Sequence, residues 1–209
     1  MSGFKAALPP QMDAEPFIPY VEEKDFTPAL QALIGPYKQR MGFLPNALRL
    51  HAWRPEIAET LWKLNSLVMR DPSSTLDPFL KRRVGAICCS TNGCRYCTAH
   101  TCFMLKRKDP LSEGWGMADG EVQALVEGDL EPKNEMERAC FDFARTASES
   151  PAAMPDEIYD RLKAHLTPAQ VVELANVVGF WKYYNTLHDS LRIPVENALI
   201  PDTKYAQAV

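Results

Sequence analysis

Apolar residues along this chain recur three and four apart, and a proline or a capping residue marks where most of the runs begin. Thr27-Pro28 offers a side-chain cap and a first-turn proline ahead of Leu30, Leu33, Ile34 and Tyr37, and Gly42 closes the run. Pro45-Asn46 opens a short turn or helix through Leu50. Pro55 starts a longer helix, with Ile57, Leu61, Leu64 and Val68 on one face, which Asp71-Pro72 stops. Asp77-Pro78 starts the next, with Leu80, Val84, Ile87 and Cys88 turned inward until Thr91-Asn92-Gly93 breaks it. A helix from about 93 to 108 follows, then a loop over 109–120 with Asp109-Pro110 and three glycines. The spacing predicts further helices over 121–127 and 135–148, a start at Pro155-Asp156, and a strongly apolar helix over 168–190. No segment alternates as a strand would between hairpin turns. The chain reads as all-α.

The same pattern predicts two related helical units, about 55–108 and about 135–192, inside a single domain over 27–200. In each, a helix and a polar link lead to Leu76-Asp77-Pro78 or Leu166-Thr167-Pro168 and then an apolar helix. The first 26 residues hold Pro9, Pro10, Pro16 and Pro19, which exclude a regular helix and predict an extended arm. Residues 201–209 read as a C-terminal tail.

Composition narrows the function classes. A formal charge of −4 leaves no basic field to hold a phosphate backbone, so nucleic acid is not expected as a partner. There is no apolar run of signal-peptide length at the start, and none of the ~18 residues that a membrane helix needs. The expectation is a cytoplasmic protein with no membrane contact. In a reducing compartment, closely spaced cysteines are more often catalytic or metal-binding than structural, and this chain has six cysteines. Cys88, Cys89, Cys102 and Cys140 lie in apolar surroundings and read as small core residues.

The remaining two stand in the run Ser90-Thr91-Asn92-Gly93-Cys94-Arg95-Tyr96-Cys97-Thr98-Ala99-His100-Thr101. On a helix, residues three or four apart share a face, so Cys97 lies beside both Cys94 and His100. A start at Gly93 puts both thiols near the helix N-terminus, where unpaired N–H groups favour negative charge and predict a lowered thiol pKa. A neutral imidazole one turn later can accept the thiol proton. Three readings stay open at this point: a redox couple, a zinc site needing a fourth ligand from His51, His165 or His188, and buried cysteines with a surface histidine.

The stretch resembles the AhpD-like (alkylhydroperoxidase D) members of the carboxymuconolactone decarboxylase family, in particular the longer peroxidase-related proteins. The likeness rests on Gly42-Phe43-Leu44-Pro45-Asn46, the Pro55 helix, Leu76 to Lys106 with its cysteine motif, and the helix end from Asn185 to Leu191. It implies an all-helical AhpD-like fold of duplicated units, assembled as dimers, trimers or hexamers. It also implies peroxide- or disulfide-reducing activity without a bound cofactor, sustained by an external thiol or dithiol reductant. Cys97 would be oxidised to sulfenic acid, Cys94 would resolve it as a disulfide, and His100 would belong to a proton relay.

The chain departs from the family pattern twice. The relay histidine falls three residues after Cys97, and Thr101 holds the family's place one residue later. Arg82 stands where the family has a glutamate, and an arginine stays charged and passes no proton. Two expectations address this: Arg82 stabilises a Cys97 thiolate by charge, or Glu173 reaches His100 across the interior. His188 reads as a structural histidine that could line the same pocket, and Trp181, Tyr183 and Tyr184 as core or interface. The leading function is a thiol-dependent antioxidant peroxidase. The alternatives are a thiol redox sensor, a metal-binding helical oligomer, and a cofactor-free lactone decarboxylase.

Overall fold

Prolines set the first turn of four helices. α1 (Pro28–Met41), α3 (Pro55–Arg70), α4 (Pro78–Thr91) and α9 (Pro168–Ser190) each carry one there, where the missing N–H would have found no partner. Side-chain caps reinforce three of them: Thr27 accepts from the Leu30 N–H, Asp77 from Phe79 and Leu80, and Thr167 from Gln170. α2 (Asn46–His51), α5 (Arg95–Lys106), α6 (Asp119–Glu127), α7 (Glu135–Glu149) and α8 (Asp156–His165) complete the α-helices. This computed structural model describes residues 15–108 and 115–206, and among them there is no strand. The fold is all-α, as the periodicity predicts.

α4 is the spine. Every residue from Leu80 to Ser90 is buried, and the helix packs against α3, α5, α6, α7 and α9. Even its basic run lies inside, held by partners: Arg83 pairs with Glu137, and Lys81 donates to the Val68 carbonyl at 3.0 Å and pairs with Glu173 at 3.3 Å. Burying such charges is tolerable only with partners of this kind. Gly85 lets α9 approach closely, since a Cβ there would lie 2.9 Å from Trp181 Cδ1.

Three expectations change. On α3 the buried stripe is Ala58, Leu61 and Met69, whereas Ile57 and Leu64 are exposed. The helix is rotated so that Trp62 and Asn65, rather than Leu64 and Val68, face the cavity described below. Residues 201–205 are not a tail, because Asn197–Tyr205 forms a 3-10 segment packed on α5, with Asp202 and Tyr205 buried. Of the predicted arm, residues 1–14 lie outside the described residues. From Glu15 on the chain is largely extended, with a short 3-10 turn at Glu23–Asp25, and is tied down by Val21 N–H to the Arg49 carbonyl and Trp53 Nε1 to the Pro19 carbonyl. The predicted loop 109–120 is shorter, since α6 begins at Asp119; residues 109–114 lie outside the described residues. No helix among the described residues is long and apolar enough to cross a membrane.

Candidate active site

Gly93 makes the turn between α4 and α5 at φ +70, a backbone region open to glycine at little cost. The turn leaves Cys94 as the N-cap of α5, its Sγ accepting the Cys97 N–H at 3.5 Å. Cys97 therefore sits in the first helical turn, next to Cys94, as the spacing predicts. Both are essentially sealed from solvent, at 0% and 1% exposure.

The imidazole in contact with Cys97 comes from elsewhere in the chain. Cys97 Sγ lies 3.1 Å from Nδ1 of His188, at the far end of α9. Three rings hold that imidazole: Tyr184 stacks on it at 4.8 Å, Tyr96 meets it edge-on at 5.0 Å and His51 lies 5.3 Å away. Burial drives the His188 pKa well below its ordinary value, with the like charges of His51 and His100 adding to the effect. The ring is neutral at physiological pH and able to accept a proton. Its Nε2 has no partner among the described residues. His188 lines the same cavity as Cys97, the place that the sequence reading left open for it.

The expected low thiol pKa is also corrected. Burial pushes Cys97 and Cys94 well above the ordinary thiol value. A helix N-terminus favours an anion by only ~0.3–1 kcal/mol, up to ~2, whereas complete burial shifts a titrating group by up to ~3–5 pKa units, at 1.36 kcal/mol each. Desolvation wins. The resting pair is a neutral thiol facing a neutral imidazole.

His100 is occupied differently. Its Nε2 lies 2.8 Å from Glu196 Oε2, and Glu196 also accepts from the Tyr96 hydroxyl at 2.8 Å and from the Asn46 N–H. Tyr96 in turn accepts the Ala47 N–H at 3.1 Å. Burial alone would raise the Glu196 carboxyl, but the His100 charge and the donated hydrogen bonds hold it below the usual range. Thr101 turns its hydroxyl back to the Cys97 and Thr98 carbonyls of its own helix. Glu173 does not reach His100: it is bonded to Ser74 and paired with Lys81. Burial works to raise its carboxyl, and the Ser74 and Lys81 contacts lower it further than that. The hydroxyl and ammonium on the near side simply capture it first.

A cavity of about 110 Å³ opens onto Cys97, far more than the ~10–15 Å³ that one water needs in the same measure. Cys97, His51, His100, His188 and Thr101 line one part of it; Tyr37, Trp62, Tyr96, Trp181 and Tyr184 supply aromatic walls. Arg82 lines it too, joined by Arg40 and Arg70. Among the described residues no three His, Cys, Asp or Glu side chains converge as metal ligands would. Glu196 and His51 had signals in the sequence: a carboxylate flanked by Ile193-Pro194-Val195, and a histidine in the apolar stretch that ends α2. Arg40 and Arg70, in the last turns of α1 and α3, had none.

No protein-family model matches the chain, and no curated protein matches it. Solved structures do. It is similar to the alkylhydroperoxidase AhpD core of an uncharacterized peroxidase-related protein from Ralstonia eutropha JMP134, with a TM-score of 0.75 and 16% identity over 92% of this chain and 98% of that one. The fold is AhpD-like. An uncharacterized peroxidase-related protein from Silicibacter sp. TM1040 matches at TM-score 0.71 and 17% identity over 94% of this chain and 97% of that one. The debrominase Bmp8 matches at TM-score 0.75 and 24% identity over 90% of this chain and 96% of that one. A cysteine-to-alanine variant of Bmp8 in complex with 2,3,4-tribromopyrrole matches at TM-score 0.75 and 23% identity, with the same coverage. At these identities the AhpD-like likeness establishes architecture, and the chemistry rests on the side chains above.

Proposed function

We propose that the protein is a thiol-dependent peroxidase that reduces a peroxide at Cys97 and stores the two electrons' worth of oxidation as a Cys94–Cys97 disulfide. The observation that carries this reading is the 3.1 Å contact between Cys97 Sγ and His188 Nδ1, at the edge of a cavity and beside a second thiol. As the Cys97 sulfur attacks a peroxide oxygen, its proton passes to His188, the S–O bond forms and the O–O bond breaks. The departing oxygen takes the proton from His188 and leaves as alcohol or water. Cys94 then attacks the sulfenic sulfur; the S–S bond forms, the S–O bond breaks, and hydroxide leaves with the Cys94 proton as water. Burial pushes the carboxyl of Asp189, near Cys94, up to about 6, which suits it to relay that proton to the departing hydroxide. An external dithiol restores both cysteines.

The test is peroxide titration with sulfenic-acid trapping. Cys94→Ser should accumulate trappable acid, Cys97→Ser should give none, and wild type should end as an internal disulfide. Trappable acid in Cys97→Ser, or no peroxide consumption by wild type with dithiol in excess, overturns the reading.

The aromatic walls, together with the likeness to a debrominase, support a second use of the same thiols: reductive removal of halogen from an aromatic ring. There C–Br becomes C–H, bromide and a proton leave, and the two thiols become the disulfide. Bromide release from a bromopyrrole, with no peroxide consumption, would favour it.

A further inference from the structure

Two imidazole nitrogens at the cavity wait for a partner. His51 Nε2 and His188 Nε2 are both buried, and neither meets a hydrogen-bonding group among the described residues. The rings lie 5.3 Å apart, one at the end of α2 and the other in the last turn of α9, and both line the cavity that holds Cys97. Tyr184 stacks on His188, Tyr96 meets it edge-on, and its Nδ1 is turned to Cys97, so the Nε2 edge is what it has left to offer. A buried polar atom without a partner costs free energy that a ligand group can recover. Burial brings His51 down to about 4 and His188 well below its ordinary value, so both rings are neutral near pH 7. A neutral imidazole carries one donor and one acceptor. With Nδ1 of His188 accepting from Cys97, its ring proton stands on Nε2. His51 in the other tautomer supplies the matching acceptor.

We propose that the site takes hydroperoxides, R–O–O–H, and that His51 selects them: its Nε2 accepts the terminal O–H while His188 Nε2–H donates to the other oxygen. This names the substrate class of the peroxidase reading and so rests on it. The Cys97 sulfur attacks the oxygen held by His51, the S–O bond forms and the O–O bond breaks. The thiol proton passes to His188 Nδ1, and the Nε2 proton passes to the departing oxygen. The attacked oxygen keeps its own hydrogen, which leaves Cys97 as sulfenic acid and releases R–OH. A disulfide or a dialkyl peroxide has no hydrogen for His51 to accept, and the site rejects it by leaving that nitrogen unpaired.

The experiment compares wild type with His51→Phe, which keeps a ring against Tyr184 but removes both nitrogens, and with His51→Gln, which restores an acceptor. Turnover of cumene hydroperoxide with dithiol in excess should fall about tenfold or more in kcat/KM in His51→Phe, and His51→Gln should recover most of the loss. The same proteins are titrated with 2-phenylpropan-2-ol and with tert-butylbenzene, which has a methyl in place of the hydroxyl; fluorescence of Trp62 and Trp181 in the cavity wall reads the binding. His51→Phe should weaken the alcohol about tenfold, equivalent to about 1.4 kcal/mol, as the loss of one hydrogen bond predicts, and leave the hydrocarbon little changed. His51→Ala is read in the same way where His51→Phe fails to fold. Equal losses for the two probes, or alcohol binding untouched by the substitutions, overturn the inference. Selective loss of the alcohol without hydroperoxide consumption by wild type sinks the peroxidase reading and upholds the hydroxyl contact; consumption that His51→Phe does not slow sinks this inference alone.

Discussion

Glutamine in place of His188 leaves Cys97 a neighbour able to hydrogen-bond but removes the proton acceptor. A thiol at its ordinary value of 9.0 is ~1% ionised at neutral pH, and burial holds Cys97 below even that. On the proposed reading, attack is coupled to proton transfer, and the 3.1 Å contact with Nδ1 supplies the route. Loss of a general base costs ~10²–10⁴ in rate, about 3–5 kcal/mol at 1.36 kcal/mol per decade. The assay is peroxide consumption with dithiol in excess, followed across pH. His188→Gln should be slower by that factor, and its rate should climb roughly tenfold per pH unit, as hydroxide takes over the proton. Wild type should show no acid limb from His188 near neutrality, because burial keeps that ring neutral there. Thermal unfolding of the variant checks that the loss of the Tyr184 stack has not unfolded the site. An unchanged rate and pH profile would refute the role of His188 outright.

Other substitutions probe the frame around it. Gly85→Ala should destabilise the protein by ~1–3 kcal/mol and lower activity, because the added methyl collides with Trp181 on the cavity wall; calorimetric melting and peroxide assays read both. Tyr96→Phe should cost ~1–3 kcal/mol by stranding the Ala47 N–H, measured by denaturant unfolding. Glu196 has a folded pKa below its ordinary 4.5, so the folded state binds fewer protons than the unfolded chain. Its contribution is complete above that ordinary value and is lost as pH falls through the folded one. Glu196→Gln should therefore flatten the acid limb of the stability profile as pH falls below the ordinary carboxylate value of 4.5.

The helices were legible because their signals are local. Pro28, Pro55, Pro78 and Pro168 with their caps mark starts that the structure keeps, and Gly42 closes α1 in a left-handed turn. The rotation of α3 was hidden: Leu64 and Trp62 are equally apolar, and only the neighbouring helices decide which faces inward. In the site, adjacency in sequence gave the Cys94–Cys97 pair but not the imidazole that touches Cys97. His100 is three residues from Cys97, yet Glu196 engages it, while His188 arrives 91 residues later in the chain. The thiol pKa went astray for a related reason. The helix start can be seen in a sequence, and the depth at which it is buried cannot.

That depth has a consequence for turnover. A disulfide is cleaved along the line of its two sulfurs, and Cys94 and Cys97 offer no solvent-facing approach to the bulky active-site surface of a protein reductant. Re-reduction then falls to a dithiol slim enough to enter through the cavity, or waits for the packing around α5 to open. The oxidised form should build up under a steady peroxide supply, and the catalytic cycle should be paced by its recovery half.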